Sequence, residues 1–120
     1  MTSGSPVAEI TGGIVYPREG SRLSKGTVSW PFAKLVVYRD GLELMPRRPF
    51  SRLVGPLVIP YEELDHVEVL SAPMIGRLGG TLVFRSRRPE FDQVRFSARR
   101  SNVALIAHHL REARVDVVGS

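Results

Sequence analysis

The hydrophobic pattern of this chain changes period once, and that change limits what it can fold into. Up to about residue 100 the apolar residues come in short segments that alternate or run briefly, divided by Gly, Pro and charged clusters. That is the punctuation of an antiparallel β domain. After Ser101, Val103, Ile106, Ala107, Leu110 and Ala113 fall instead at helical spacing, about 3.6 residues per turn. The pattern predicts one amphipathic helix over 101–114, with Ser101 as its N-cap. A sheet followed by a single helix implies a mostly β, α+β architecture. The helix then covers apolar surface that the strands cannot bury alone.

The strand segments can be placed one by one. Gly13–Tyr16 reads as a first strand, followed by a long polar loop over Pro17–Gly26. Phe32–Tyr38, with Pro31 at its entrance, is the clearest strand. Arg39-Asp40-Gly41 supplies an Asp-Gly hairpin signal, and Leu42–Met45 returns with Leu42 and Leu44 on one face. Pro46–Pro56 is a loop. Leu57-Val58-Ile59 is a short strand ended by Pro60, and Tyr61–Leu64 looks like a single helical turn. His66–Leu70, Thr81–Ser86 and Gln93–Ser97 complete the set, with a glycine-bearing loop over Ser71–Gly80 and a charged turn at Arg87-Arg88-Pro89-Glu90. Leu35, Val37, Leu42, Leu44, Ile59, Val67, Val69, Leu82, Phe84, Val94 and Phe96 would face inward, with Val103, Ile106 and Leu110 as a plug. The expected organisation is a flexible N-terminal segment over 1–11, a domain over 12–114 and a C-terminal tail over 115–120.

Composition narrows the chemistry. The chain has 120 residues, enough for one domain, and 42% of them are hydrophobic, too many for a disordered chain. It has no cysteine, so disulfides, thiolate metal sites and cysteine nucleophiles are excluded. No apolar run approaches the length of about 20 residues that a membrane helix needs, and no signal peptide is visible at the start. The expectation is a cytoplasmic protein, peripheral at most to the inner face of a membrane.

The formal charge is +5, and 15 of the 17 cationic residues are Arg. Arginine suits bidentate contact with carboxylates and phosphates, although a GC-rich genome gives the same bias. The cations fall into groups. Arg47, Arg48 and Arg52 share one Pro-rich loop, and Arg85, Arg87 and Arg88 surround a turn. Arg95, Arg99 and Arg100 run into the helix start, where free N–H groups favour anions.

Nothing in the sequence assembles a catalytic site, a metal site or a cofactor site. His108 and His109 are neighbours on the helix, about 100° apart, and are poorly placed to share a metal as an i, i+4 pair could. Glu62, Glu63 and Asp65 read as a solvated turn. Gly76-Arg77-Leu78-Gly79-Gly80 lacks the strand-before, helix-after setting of a dinucleotide fingerprint.

The run Lys34-Leu35-Val36-Val37-Tyr38-Arg39-Asp40-Gly41-Leu42-Glu43-Leu44 resembles the second and third strands of a PH-like, GRAM-like domain. Leu57-Val58-Ile59-Pro60, then Tyr61-Glu62-Glu63-Leu64-Asp65-His66-Val67-Glu68-Val69, continue the likeness. Gly80-Thr81-Leu82-Val83-Phe84, Val94-Arg95-Phe96 and the closing helix complete it over 12–114. The chain is similar in this to small bacterial PH-like domain proteins. The resemblance implies a bent antiparallel barrel of about seven strands capped by the C-terminal helix, and a non-catalytic binding module.

Relatives that bind phosphoinositides use basic residues after the first strand and along the second. Here those positions hold Arg18, Arg22, Lys25 and Lys34, while Val36 stands where a further cation would be. The resemblance therefore implies a protein partner, or a weak contact with an anionic membrane, through Arg18, Arg22, Lys25, Lys34, Arg47, Arg48, Arg52, Arg95, Arg99 and Arg100. The alternative is a nucleic-acid-binding basic domain. That reading lacks the aromatics interleaved with basic residues that stacking platforms use.

Overall fold

A computed structural model of the chain describes residues 5–15, 27–46, 56–70 and 79–119. Its elements are β1 (Ala8–Val15), β2 (Thr27–Val37), β3 (Gly41–Pro46), β4 (Leu57–Pro60), a 3₁₀ turn (Tyr61–Glu63), β5 (Leu64–Leu70), β6 (Gly79–Ser86), β7 (Val94–Arg99), α1 (Arg100–Glu112) and β8 (Val117–Gly119). All eight strands form one sheet in the order β4-β3-β2-β1-β7-β6-β5-β8. Every pairing is antiparallel except that of β5 with β8.

Alternation explains why the sheet curls. Leu35, Val37, Leu42, Leu44, Ile59, Val67, Leu82, Phe84, Val94 and Phe96 come from six strands, yet all belong to one buried cluster. A flat sheet could not bring β4 and β5 to the same core, so the sheet wraps into a half-barrel. Its open side is closed by α1, whose Val103, Ile106 and Leu110 enter the same cluster. No described residue with a polar or charged side chain is buried.

Four sequence expectations are corrected. The first strand begins at Ala8, not Gly13, because Ala8 through Gly12 pair with Val37 through Ala33 and seat Ile10 in the core. The second strand starts at Thr27, upstream of Pro31. Pro31 is tolerated because it falls in the bulge where the ladder to β1 jumps from Ala33↔Gly12 to Val28↔Ile14, outside the registered pairs.

The helix starts at Arg100, with Arg99 as the N-cap residue in extended conformation and no side-chain cap. Strand pairing persists to Arg99↔Gly79, so Ser101 falls inside the first turn rather than before it. Finally, the tail contains an eighth strand. Val115 is buried and Val117 packs on the core, while Val117, Val118 and Gly119 pair with Val67, Glu68 and Val69.

The hairpin between β2 and β3 is where the sequence places it, but the glycine serves another purpose. Tyr38 N–H donates to Gly41 C=O at 2.9 Å, so Arg39 and Asp40 form the loop. Gly41 has no positive φ. A Cβ there would lie 2.8 Å from the Ile59 carbonyl oxygen, so it is glycine because β4 passes close by.

Candidate functional site

Of the ten candidate contact residues, Arg18, Arg22, Lys25, Arg47, Arg48 and Arg52 lie outside the described residues. The other four are placed, and the structure separates them.

Lys34 projects from β2 and pairs with Glu9 across to β1 at 3.6 Å. The next outward residue, Val36, stands between Glu9 and Glu43 in register and is only 2% exposed. Tyr38 follows, its hydroxyl 3.5 Å from Glu43 and its pKa raised by burial and by that carboxylate. The outward strip of β2 thus has a carboxylate on each side of Val36. An anion approaching Lys34 would meet Glu9 already in place.

Arg95 and Arg99 differ. They alternate on β7 with buried Val94, Phe96 and Ala98, and so point away from the core. The in-register neighbours of Arg95 are Val15 and Val83, and that of Arg99 is Gly79, so no carboxylate lies opposite either. Between them Ser97 and Thr81 share a hydroxyl–hydroxyl hydrogen bond of 3.0 Å. Arg100 continues the group on the first residue of α1. Arg95, Arg99 and Arg100 have no ion pair or hydrogen bond among the described residues, and all three are exposed. Exposed Val15 flanks the strip in register with Arg95, and exposed Phe32 lies next to Ala33, the β2 partner of Gly12, one residue from the bulge. Arg95 and Arg99 are four strand residues apart, about 13 Å, too far to grip one phosphate together.

Two further arginines are engaged, whereas Arg39, Arg87, Arg111 and Arg114 are exposed without an ion pair or side-chain hydrogen bond among the described residues. Arg88 donates to Glu90 at 2.8 Å, sits 3.8 Å from Glu63, and lies over the Phe91 ring at 5.6 Å. Glu90 accordingly has a lowered pKa, and Phe91 is buried beneath the turn. Ser86 ties this turn to the 3₁₀ segment, its hydroxyl donating to Glu63 C=O at 2.7 Å. Arg85 approaches Glu68 and Asp92 at 3.9 and 4.0 Å. Tyr61 fastens the other side of the 3₁₀ turn, its hydroxyl donating to Tyr38 C=O at 2.7 Å. Burial, and then Asp40, push its pKa up to about 12.

His66 is held between two carboxylates on the outer face of β5. Its Nδ1 lies 2.9 Å from Asp65 Oδ2 and its Nε2 3.2 Å from Glu68 Oε2. Only the imidazolium can donate through both nitrogens, so these hydrogen bonds raise the pKa above the ordinary 6.5. A folded-state pKa above the unfolded one stabilises the protein fully below the unfolded value. The contribution disappears as pH rises through the folded value. His66→Gln is expected to lower stability by about 0.5 kcal/mol near pH 5.5 and by little near pH 8.5, given the exposure of the group. Urea melts at both pH values check this, and equal losses would contradict it.

Among the described residues no group of three or more His, Asp or Glu side chains could hold a metal ion, and no helix is long and apolar enough to cross a membrane. His108 pairs with Glu112 at 3.4 Å, one helical turn away, and meets the ring of His109 edge-on.

A strongly curled antiparallel sheet whose open side is closed by a C-terminal helix defines a PH-like fold. Among solved structures, the chain is similar to the Vps36 N-terminal PH domain, at 12% identity and a TM-score of 0.60, over 91% of this chain and 77% of that one. It is also similar to the hSac2 domain from the human phosphoinositide phosphatase Sac2, at 13% identity and a TM-score of 0.56, over 96% and 79% of the two chains. No protein-family model matches the sequence, and no curated protein matches it.

Proposed function

We propose that this chain is a non-catalytic binding module of PH-like fold whose partner is a protein with an acidic contact surface. A weaker, salt-sensitive attraction to anionic membranes accompanies it. The observation that carries this reading is the strip of Arg95, Arg99 and Arg100, exposed and without a carboxylate partner among the described residues. By contrast, Lys34 and Arg85 on the sheet and Arg88 in the turn after β6 each lie beside a carboxylate. The other arginines unpaired among the described residues, Arg39, Arg87, Arg111 and Arg114, lie in turns and at the far end of α1 and not on this strip. The spacing of the strip suits several separate carboxylates on a facing surface better than one phosphate group. The apolar interior supports a role carried by the surface rather than by an enclosed polar site.

The double charge reversal Arg95→Glu/Arg99→Glu tests the reading. Both positions are exposed, so the fold is expected to survive with a stability change of about 0.5 kcal/mol or less. Partner capture from extracts by the wild type should fall about ten-fold or more in the variant, since like charges now face each other. Vesicles containing phosphatidylserine should sediment little protein at about 0.1 M salt and none at about 0.5 M. Capture unaffected by the reversal would overturn the reading. Vesicle binding that persists at high salt would replace the protein partner with a membrane.

A further inference from the structure

We infer that His66 gates the arginine strip by holding or releasing the Glu68 carboxylate. The protonated imidazole keeps Glu68 away from Arg95 and the neutral one frees it, so acidic partners bind less tightly as pH rises. The inference rests on the acidic-partner reading and adds the regulation of its site.

Register puts the gate and the strip in one row on the outer face of the sheet. Glu68 on β5 pairs with Val83 on β6, and Val83 pairs with Arg95 on β7. Glu68 and Arg95 are therefore two strand spacings apart, about 9.5 Å, a gap that two long side chains leaning toward each other can close. Val83 alternates with the core residues Leu82 and Phe84 and stands outside their cluster, so it points outward. Yet it is only 3% exposed. Neighbouring side chains must lie over it. In register those neighbours are Glu68 and Arg95, with Arg85 next on the same face of β6.

His66 lies two residues before Glu68 on that face and decides where the carboxylate sits. Its Nε2 is 3.2 Å from Glu68 Oε2, while its Nδ1 is 2.9 Å from Asp65 Oδ2. From β6 its register partner Arg85 faces the ring, with Asp92 beyond it. From β8, Asp116 comes alongside, since its C=O accepts the Val67 N–H. With the imidazole charged, His66 and Arg85 balance Asp65 and Glu68. A neutral imidazole keeps one N–H and presents a lone pair at the other nitrogen. The shorter contact retains the proton on Nδ1 for Asp65, and the Nε2 lone pair then repels the Glu68 oxygen.

Glu68 must find another cation. Arg85 is 3.9 Å away but shared with Asp92, and Arg95 waits across Val83 with no ion pair among the described residues. A carboxylate turned toward Arg95 competes with those of a partner protein. The hydrogen bonds of the charged ring raise the His66 pKa above 6.5, so the release falls on the alkaline side of that value.

Labelled poly-L-glutamate, ionised across this range, is the probe, at about 0.05 M salt. The wild type should bind it about three-fold tighter or more near pH 6 than near pH 8.5. Glu68→Gln should bind tightly at both pH values and His66→Ala weakly at both. Both positions lie outside the core cluster, so these variants should fold. His108→Gln/His109→Gln should keep the wild-type response, and Arg95→Glu/Arg99→Glu should bind at neither pH. A wild type that binds equally at both pH values would overturn the inference. So would a full pH response in Glu68→Gln or in His66→Ala, because another group would then carry it. A probe lost on arginine reversal but indifferent to pH would remove the gate and leave the strip as the contact surface. Binding that survives the reversal would remove the strip itself, and the gate with it.

Discussion

Leu110→Asp is expected to abolish the native fold, whereas Leu105→Asp, five residues earlier on the same helix, should barely change it. Leu110 is fully buried, and α1 closes the half-barrel through it together with Val103 and Ile106. Removing a buried leucine costs about 2–5 kcal/mol for the lost transfer energy and the cavity. The aspartate then adds a carboxylate to a cluster with no buried polar group among the described residues. It must either ionise without a partner or stay protonated without a hydrogen bond, at several kcal/mol more. A domain of this size commonly has about 5–15 kcal/mol in total. Leu105 is 42% exposed and loses little, with an expected change of about 0.5 kcal/mol or less. Circular dichroism and thermal melts of the two variants make the comparison. A Leu110→Asp protein that melts cooperatively would mean that α1 does not close the core.

The contrast shows what was legible in the sequence. Helical spacing alone identified Val103, Ile106 and Leu110 as the inward stripe, and strand alternation identified Leu35, Leu42, Phe84 and Phe96. Burial on one face is a local property that the period carries directly. Ile10 was hidden because the inward series Ile10, Gly12, Ile14 has a glycine at its centre, so an unbroken apolar alternation never appears. Phe91 was hidden inside a charged turn, where the Arg88–Glu90 pair dominates the local pattern. β8 could not be read at all. Val117-Val118-Gly119 is too short to show a period, and its strand partner lies 50 positions earlier, at Val67–Val69.

The candidate site divides on the same principle. That arginines cluster is visible in the sequence; that they are free or neutralised depends on which carboxylates the sheet brings beside them. Arg88 meets Glu90 two residues on, a contact the sequence could suggest. Lys34 meets Glu9 only because β1 and β2 pair Glu9 with Val36 and Thr11 with Lys34, setting the two side chains diagonally on one face. Arg95 and Arg99 stand apart because Val15, Val83 and Gly79 occupy the positions opposite them. The positive charge of the whole chain therefore does not locate a contact surface. Pairing register decides which of the described cations on the sheet meet a carboxylate and which stay exposed.

Register also makes Gly12→Ala a damaging methyl group to add to the sheet. Gly12 faces inward on β1 just before the bulge. A Cβ there would lie 2.5 Å from Phe96 Cζ and 3.0 Å from Cε1, and would collide with the Ser97 carbonyl oxygen as well. The ring belongs to a fully buried residue in the central cluster, so it has no void to move into. The carbonyl is backbone of β7, fixed by the Gly13↔Ser97 and Thr81↔Ser97 pairings on either side. Overpacking a side chain alone costs about 1–3 kcal/mol, and displacing backbone raises that, so a loss on the order of 3 kcal/mol or more is expected. Gly79→Ala supplies the comparison, because its Cβ would make only an ordinary contact, 3.7 Å from Ala98 C=O. Since glycine inside a strand is itself unfavourable by roughly 0.5–1 kcal/mol, Gly79→Ala should be neutral or slightly stabilising. Phe96→Leu should relieve part of the clash with the new methyl, so the double variant Gly12→Ala/Phe96→Leu should be less unstable than the sum of the single losses. Urea denaturation of the four proteins measures that coupling. Simple additivity would show that the carbonyl of Ser97, and not the ring, sets the cost.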